Sequence, residues 1–322
     1  MKKKKLFAFL VFLVLIFCGY FLWLNIFNKD NIKEEQTGST PIIYKVTKEG
    51  SNNTIYLFGS IHIADKSAYP LSDAVINAYN DSDYLAVEFD LVEFQKNQEA
   101  QFAMLQEMIY TDGTKINDHL SQETYNKLVD YLEKNSTYST IYDVYKPFFF
   151  LSLVNDTIYK KANLNSTGID EYLLKQAKKD SKEILEVETY EEQYDLLLTL
   201  NDELYELMFK SMLDNIDANV FATKLLYNAW KSGNYNLLVR YSGANGDDGF
   251  NDSYNNEEEI ELINDYNQKI MYDRNLTMKE KLIEYFNEDK KVLFTVGCAH
   301  VIGDQGIAKL LENEGYKVEL IK

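Results

Sequence analysis

An apolar run over residues 6–27 constrains this chain more than any other feature. It is interrupted only by Cys18, Gly19, Tyr20 and Asn25. A segment of that length and polarity can satisfy its backbone in lipid only as a helix, and at about 1.5 Å per residue it spans roughly 30 Å of hydrocarbon. Lys2 to Lys5 precede it and should stay cytoplasmic, which places the chain after about Asn28 on the far side of the membrane. We therefore expect a single-pass anchor over residues 1–27, in contact with the membrane through residues 6–27. A polar linker over 28–40 and one extracytoplasmic domain over 41–322 would follow. The competing reading is a cleaved lipoprotein signal ending at Leu15-Ile16-Phe17-Cys18. Phe17 is too large for the position before such a cysteine, and the apolar run continues past it.

With 33 basic against 51 acidic residues, the net charge of -18 opposes binding to phosphate backbones, so a nucleic-acid partner is not expected. Two cysteines, Cys18 and Cys298, give no disulfide framework. A hydrophobic content of 46% permits a sizeable core, and the long Glu/Lys/Leu/Tyr-rich stretches favour helices.

Within the domain, residues 41–48 and 54–61 read as two strands joined by a turn at 50–53, an opening hairpin. A helix over 71–79 and a short apolar strand over 83–89 follow. Residues 91–161 are helical with breaks near 111–114, 135–139 and 146–147. A helix over 168–179, a strand over 183–187 and a helical stretch over 191–232 come next. Residues 242–259 read as an exposed acidic loop, in which Asp247, Asp248 and Asp252 do not have calcium-loop spacing. Helices over 257–271 and 278–287, a strand over 291–296, a helix over 303–313 and a strand over 316–321 close the chain.

The chemistry concentrates in a motif that occurs twice. Three histidines and fourteen glycines would produce a G-x-x-H about 0.1 times by random placement. Here Gly59-Ser60-Ile61-His62 and Gly297-Cys298-Ala299-His300 each follow an apolar strand. A glycine where a strand ends can take positive φ or let another segment approach closely, and a histidine three residues on sits on a loop anchored by the sheet. Imidazole is the commonest protein metal ligand, and a catalytic metal takes two or three protein groups plus an exchangeable water. Glu88 and Glu188, each at a strand end, are the carboxylates best placed to complete such a set. His119 has neither glycine nor strand before it and reads as a helix-entry or surface residue. Cys298 could be a nucleophile but lacks a third histidine in similar context as its base.

These stretches resemble the TraB/GumN family, which includes pheromone-shutdown proteins and Tiki-type proteases. The matching residues are Tyr56-Leu57-Phe58-Gly59-Ser60-Ile61-His62, Leu85-Ala86-Val87-Glu88-Phe89-Asp90, Gly168-Ile169-Asp170, Glu188-Thr189 with Glu192-Gln193, Arg274-Asn275, and Val296-Gly297-Cys298-Ala299-His300 with Gly303 and Gly306. The resemblance implies an α/β (α+β) fold with a central mixed sheet flanked by helices. It also implies two related halves, each carrying a G-x-x-H motif, with a shared cleft between them. It places His62, His300 and Glu88 at the family's most recognisable site positions and Glu188 and Arg274 at further ones. Metal-dependent peptide hydrolysis is the activity it implies for Tiki-like members.

The expected function is that of a membrane-anchored extracytoplasmic metal-dependent hydrolase, a peptidase acting on a peptide or small secreted substrate. His62, His300 and Glu88 (or Glu188) would hold a divalent metal ion, the remaining glutamate would act as general base, and Arg274 would pair with it or stabilise an oxyanion. Two further readings stand beside it. One is a non-catalytic binder that sequesters a signalling peptide; the other is a haem protein with His62 or His300 as axial ligand.

Overall fold

In the computed structural model, which describes residues 37–165, 167–242, 244 and 257–322, six strands form one sheet. They are β1 (Ile43–Thr47), β2 (Ile55–Ser60), β3 (Tyr84–Val87), β4 (Glu183–Glu186), β5 (Val292–Gly297) and β6 (Lys317–Leu320). The order across the sheet is β4-β3-β5-β2-β1-β6. Neighbours among β4, β3, β5 and β2 pair in parallel, whereas β1 runs antiparallel to both β2 and β6. The sheet is therefore mixed, as expected, and the opening hairpin is its β1–β2 pair.

Burial follows position. All six residues of central β5 are buried, the mark of a strand covered on both faces, while the edge strands β4 and β6 are largely exposed. Helix Ile169–Asp180 packs on β3 and β4, and helix Ile307–Asn313 on β6. The helical stretches expected from periodicity break into shorter pieces, notably Pro147–Ala162, Tyr190–Leu198, Asp202–Asp214 and Ile216–Lys231.

Three elements differ from the sequence reading. Tyr235–Ser242 and Cys298–Val301 are helical, and the gap expected at 272–277 is closed by a π-helical segment, Gln268–Asp273, leading directly into helix Arg274–Asn287. Short helices and π turns have no distinctive apolar period, which is why pattern reading passes over them. The anchor over 1–27, most of the linker and the acidic residues Asp247, Asp248 and Asp252 lie outside the described residues. Among the described residues, no helix is long and apolar enough to cross a membrane.

Candidate functional site

Parallel strands deliver the residues that follow them to one edge of the sheet, where ligands bind in open α/β sheets. His62 comes two residues after β2, Glu88 directly after β3, Glu188 two after β4 and His300 three after β5. Backbone pairing continues past β3 and β4: the Val187 N–H donates to Val87 O at 2.9 Å and the Glu188 N–H to Glu88 O at 2.8 Å. The two glutamates are thereby held side by side, 5% and 8% exposed.

Two buried carboxylates so close need a cation, and Arg274 is that cation. Its Nε donates to Glu188 Oε1 at 2.8 Å, and its Nη2 donates to Glu188 Oε2 at 2.7 Å and to Glu88 Oε2 at 3.0 Å. Nη1 donates to Ile270 O at 3.2 Å. Gln193 Nε2 bridges the same two carboxylates, at 3.0 Å to Glu88 and 2.8 Å to Glu188. Local sequence explains both partners. A capping box between Thr189 and Glu192 starts a helix immediately after Glu188, which sets Gln193 one turn above it. The π-helical segment ends at Asp273, so Arg274 and Asn275 open the next helix from a shifted phase.

Each histidine is fixed through its Nδ1. His62 Nδ1 lies 2.9 Å from Asp170 Oδ2, while Ser60 Oγ donates to Asp170 Oδ1. Asp170 sits in the first turn of helix Ile169–Asp180, where a carboxylate is favoured by the helix dipole. His300 Nδ1 is 2.6 Å from Asn275 Oδ1, and Asn275 Nδ2 donates to Gln305 O at 2.8 Å. That second bond orients the Asn275 amide, so Oδ1 is an acceptor and His300 carries its proton on Nδ1. Its Nε2 is left with a lone pair.

The glycines of the two motifs act by closeness rather than by backbone sign. Neither Gly59 nor Gly297 has positive φ, contrary to one of the roles expected of them. Gly59 lies inside β2, and a Cβ there would meet Cys298 Sγ at 2.9 Å and its Cα and Cβ at 3.1 Å. The first motif is thus packed directly on the second. A Cβ on Gly297 would be 3.4 Å from Glu88 Oε1, 3.5 Å from His62 Nε2 and 3.6 Å from His300 Cδ2. The three groups therefore converge on one point above Gly297, whose N–H donates to Glu88 Oε1 at 2.8 Å. His62 Nε2 itself stands 4.0 Å from Glu88 Oε1.

Electrostatics separates the two imidazoles. Burial works against a charge on His62, but Asp170 and then Glu88 outweigh it and hold the group up at about 9. Burial and the Arg274 cation push His300 down to about 3. Burial also opposes ionisation of Glu88, yet Arg274 and His62 keep its carboxyl at about 2. The His62 value is above the ordinary 6.5, so its contribution to stability is complete below about pH 6.5 and is lost as pH rises through about 9. In the metal-free chain, Asp170→Asn should lower the His62 titration midpoint by more than one pH unit, about 1.4 kcal/mol of lost interaction. With three histidines in the chain, their Cε1–H resonances can be followed individually by NMR. A wild-type His62 that titrates near 6.5 would contradict this arrangement.

His119 ends the short helix Ile116–His119, stacks on Tyr110 and lies 2.8 Å from both Thr114 Oγ1 and Asp202 Oδ2, none of them part of this cluster. Burial pushes the Cys298 thiol up to about 12, and its sulfur is the wall that Gly59 packs against. Three partners received no role from sequence: Asp170, Gln193 and Asn275. All fall within the motif stretches quoted above, but nothing in their spacing says which side chains they meet.

No solved structure matches the chain. Among curated proteins it is similar to "Metalloprotease TIKI2" of Xenopus tropicalis, 23% identical over 307 residues. That alignment covers 82% of this chain and 57% of the relative, so the chain spans a little over half the relative's length. The profile of the TraB/PrgY/gumN family matches residues 42–320, a span that contains all of the strands and every residue of the cluster. The chain belongs to the TraB/PrgY/gumN family.

Proposed function

We propose that the chain is a membrane-anchored, extracytoplasmic, metal-dependent hydrolase that cleaves peptides. One observation carries the reading: His62 Nε2, the His300 ring edge and Glu88 Oε1 converge on a single point, with both Nδ1 atoms held by oxygen acceptors. Metal-binding histidines are oriented in this way, by a carboxylate or carbonyl on the other ring nitrogen. The relative named as a metalloprotease supports the same reading.

The donor types suit a divalent cation. His300 is neutral, His62 becomes a ligand on losing its proton, and Glu88 Oε1 accepts one hydrogen bond from Gly297 and keeps a second lone pair. Among the described residues, no group of three or more His, Cys, Asp or Glu stands so that it could hold a metal ion without moving. What a divalent cation supplies to such donors is Lewis acidity. The chain's own residues do the rest. Asp170 fixes the His62 tautomer and balances the charge when that ring is protonated, and Asn275 keeps the proton of neutral His300 on Nδ1. Glu188 has both oxygens on Arg274, so it positions the arginine and through it Glu88; this geometry favours Glu88 over Glu188 for any contact with substrate. Four guanidinium hydrogen bonds are already made, which leaves Arg274 little to offer an oxyanion.

The glycines give a test that separates folding from chemistry. Gly297 has φ -50, which alanine adopts freely, and its Cβ would meet only ordinary contacts. Gly297→Ala is expected to unfold at or slightly above the wild-type urea midpoint while losing metal binding and cleavage, because the methyl fills the point of convergence. Gly59→Ala drives a Cβ into Cys298 and should cost about 1–3 kcal/mol of stability. Equal metal content in Gly297→Ala and wild type, by mass spectrometry of the folded proteins, would count against the site.

The compartment has its own test. Lys2 to Lys5 ahead of residues 6–27 orient the domain outward in this reading. Protease added to intact cells should therefore remove the domain, and its protection in cells of verified sidedness would reverse the assignment.

A further inference from the structure

The segments that leave Glu88 and Glu188 enclose a space of their own. Phe89 and Asp90 lead into helix Leu91–Phe94, and Thr189 opens helix Tyr190–Leu198. Between the two lies a chamber of about 200 Å³, partly open to solvent. Phe89, Phe94 and Tyr190 form its apolar wall, with the Phe94 and Tyr190 ring centroids 4.8 Å apart. Asp90, Glu93, Glu186 and Glu191 bring carboxylates to the same space. Chambers that enclose a whole small ligand run to about 300–1,000 Å³, so this one is sized for a single side chain.

Its charge is not balanced from within. Lys178 serves Asp90 at 2.6 Å and Glu93 at 3.3 Å, and Lys96 reaches Glu93 at 3.9 Å. Glu186 accepts the Asp90 N–H at 2.7 Å, a bond that orients the carboxylate without neutralising it. Among the described residues, no lysine or arginine pairs with Glu186 or Glu191. Nor do the carboxylates gather on one point: among the described residues, no three of them stand so that they could hold a metal ion. The cation that suits this wall is therefore an organic one, with a body that lies against aromatic rings and a head that reaches separated carboxylates. The chamber begins one residue from Glu88, whose Oε1 borders the point of convergence above Gly297. Consecutive Cα atoms are about 3.8 Å apart and an extended peptide advances about 3.3 Å per residue, so a peptide held at that point reaches the chamber within about three residues.

We propose that this chamber is a specificity subsite that receives an arginine or lysine side chain of a peptide substrate, close to the bond that is cut; this rests on the hydrolase reading above. The apolar stem of such a side chain packs on Phe94 and Tyr190, and its charged head meets Glu186 and Glu191. A neutral side chain of the same shape keeps the first contact and loses the second.

The test compares arginine with citrulline, its neutral isostere, in the full chain in mild detergent. Glu186 and Glu191 are exposed, so the double variant Glu186→Gln/Glu191→Gln removes charge and leaves the fold in place. For peptides carrying either residue at each position flanking the cut, one position should give arginine a KM about 5- to 20-fold lower, with kcat little changed. The double variant should erase that difference by raising KM for the arginine peptide alone, and Glu186→Lys/Glu191→Lys should shift the preference toward glutamate. In parallel, acetyl-arginine methylamide at millimolar concentration should receive saturation transfer from the wild type by NMR, its citrulline counterpart less, and the Gln variant should treat the two alike. A probe difference lost in the Gln variant would sustain the subsite even if no peptide is cleaved, in which case the hydrolase reading alone fails. Where a peptide is cleaved, equal KM for arginine and citrulline at every position would overturn the proposal, as would an arginine preference that survives in the Gln variant. Where none is cleaved, a wild type that binds both probes alike, or neither, would overturn it.

Discussion

His62→Ala and His300→Ala will each reduce kcat/KM for a cleaved peptide by on the order of 10³-fold, and the double variant will be little worse. The reason is geometric. Both rings border one point above Gly297, so removing either empties half of the same constellation, and groups that act as a unit lose their effect together. Metal content should fall in parallel with activity in each variant, with circular dichroism confirming the fold. His119→Ala, tied to Thr114 and Asp202, should change neither. Activity that persists in chelator but disappears in both variants would replace the metal with acid–base chemistry by His62 and its Asp170 partner. Full activity in the double variant would remove the catalytic reading altogether.

Arg274→Met will destabilise the fold by about 3–5 kcal/mol near neutral pH, because it strands two buried carboxylates without their cation. The penalty depends on pH with a definite sign. In the wild type, Glu88 is held at about 2, below its ordinary value of 4.5, so its stabilising contribution is present above about 4.5 and is lost as pH falls through about 2. Without the arginine, burial raises the Glu88 carboxyl, and the variant gains stability by protonating it. The gap between variant and wild type should therefore narrow as pH falls from 7 toward 4, read from urea midpoints at each pH. A gap that stays constant over that interval would mean that Arg274 acts by packing and not by charge.

Much of this site is legible in sequence because each major residue stands where a strand ends. An apolar run of four to six residues is readable, and a polar residue directly after it must lie at a sheet edge. That logic picks out His62, Glu88, Glu188 and His300. It does not give the order of the strands, and it is the order, with β5 between β3 and β2, that brings Glu88 and both histidines to one point. Nor does it give the partners. Asp170 and Asn275 belong to helices, and the phase that turns Asn275 toward His300 comes from a π segment without a distinctive pattern. The glycines show the same limit: Gly59 is needed because Cys298 lies against it, a contact across the sheet that no local rule contains. Residues 6–27, the most constraining segment of the sequence, fall outside the described structure.

The pairing of β2 with β5 also sets when the cluster can assemble. Glu88 and the Gly297 N–H that it accepts are 209 positions apart, and the sheet's centre is closed by a strand made long after β2 and β3. Loops of that length close slowly, and the partner of β2 and β3 does not yet exist while the first 290 or so residues are being made. A nascent chain therefore carries His62, Glu88 and Glu188 through its early life as an incomplete set. Whatever reactivity the finished site has is withheld until β5 inserts, so the order of synthesis itself acts as a safeguard.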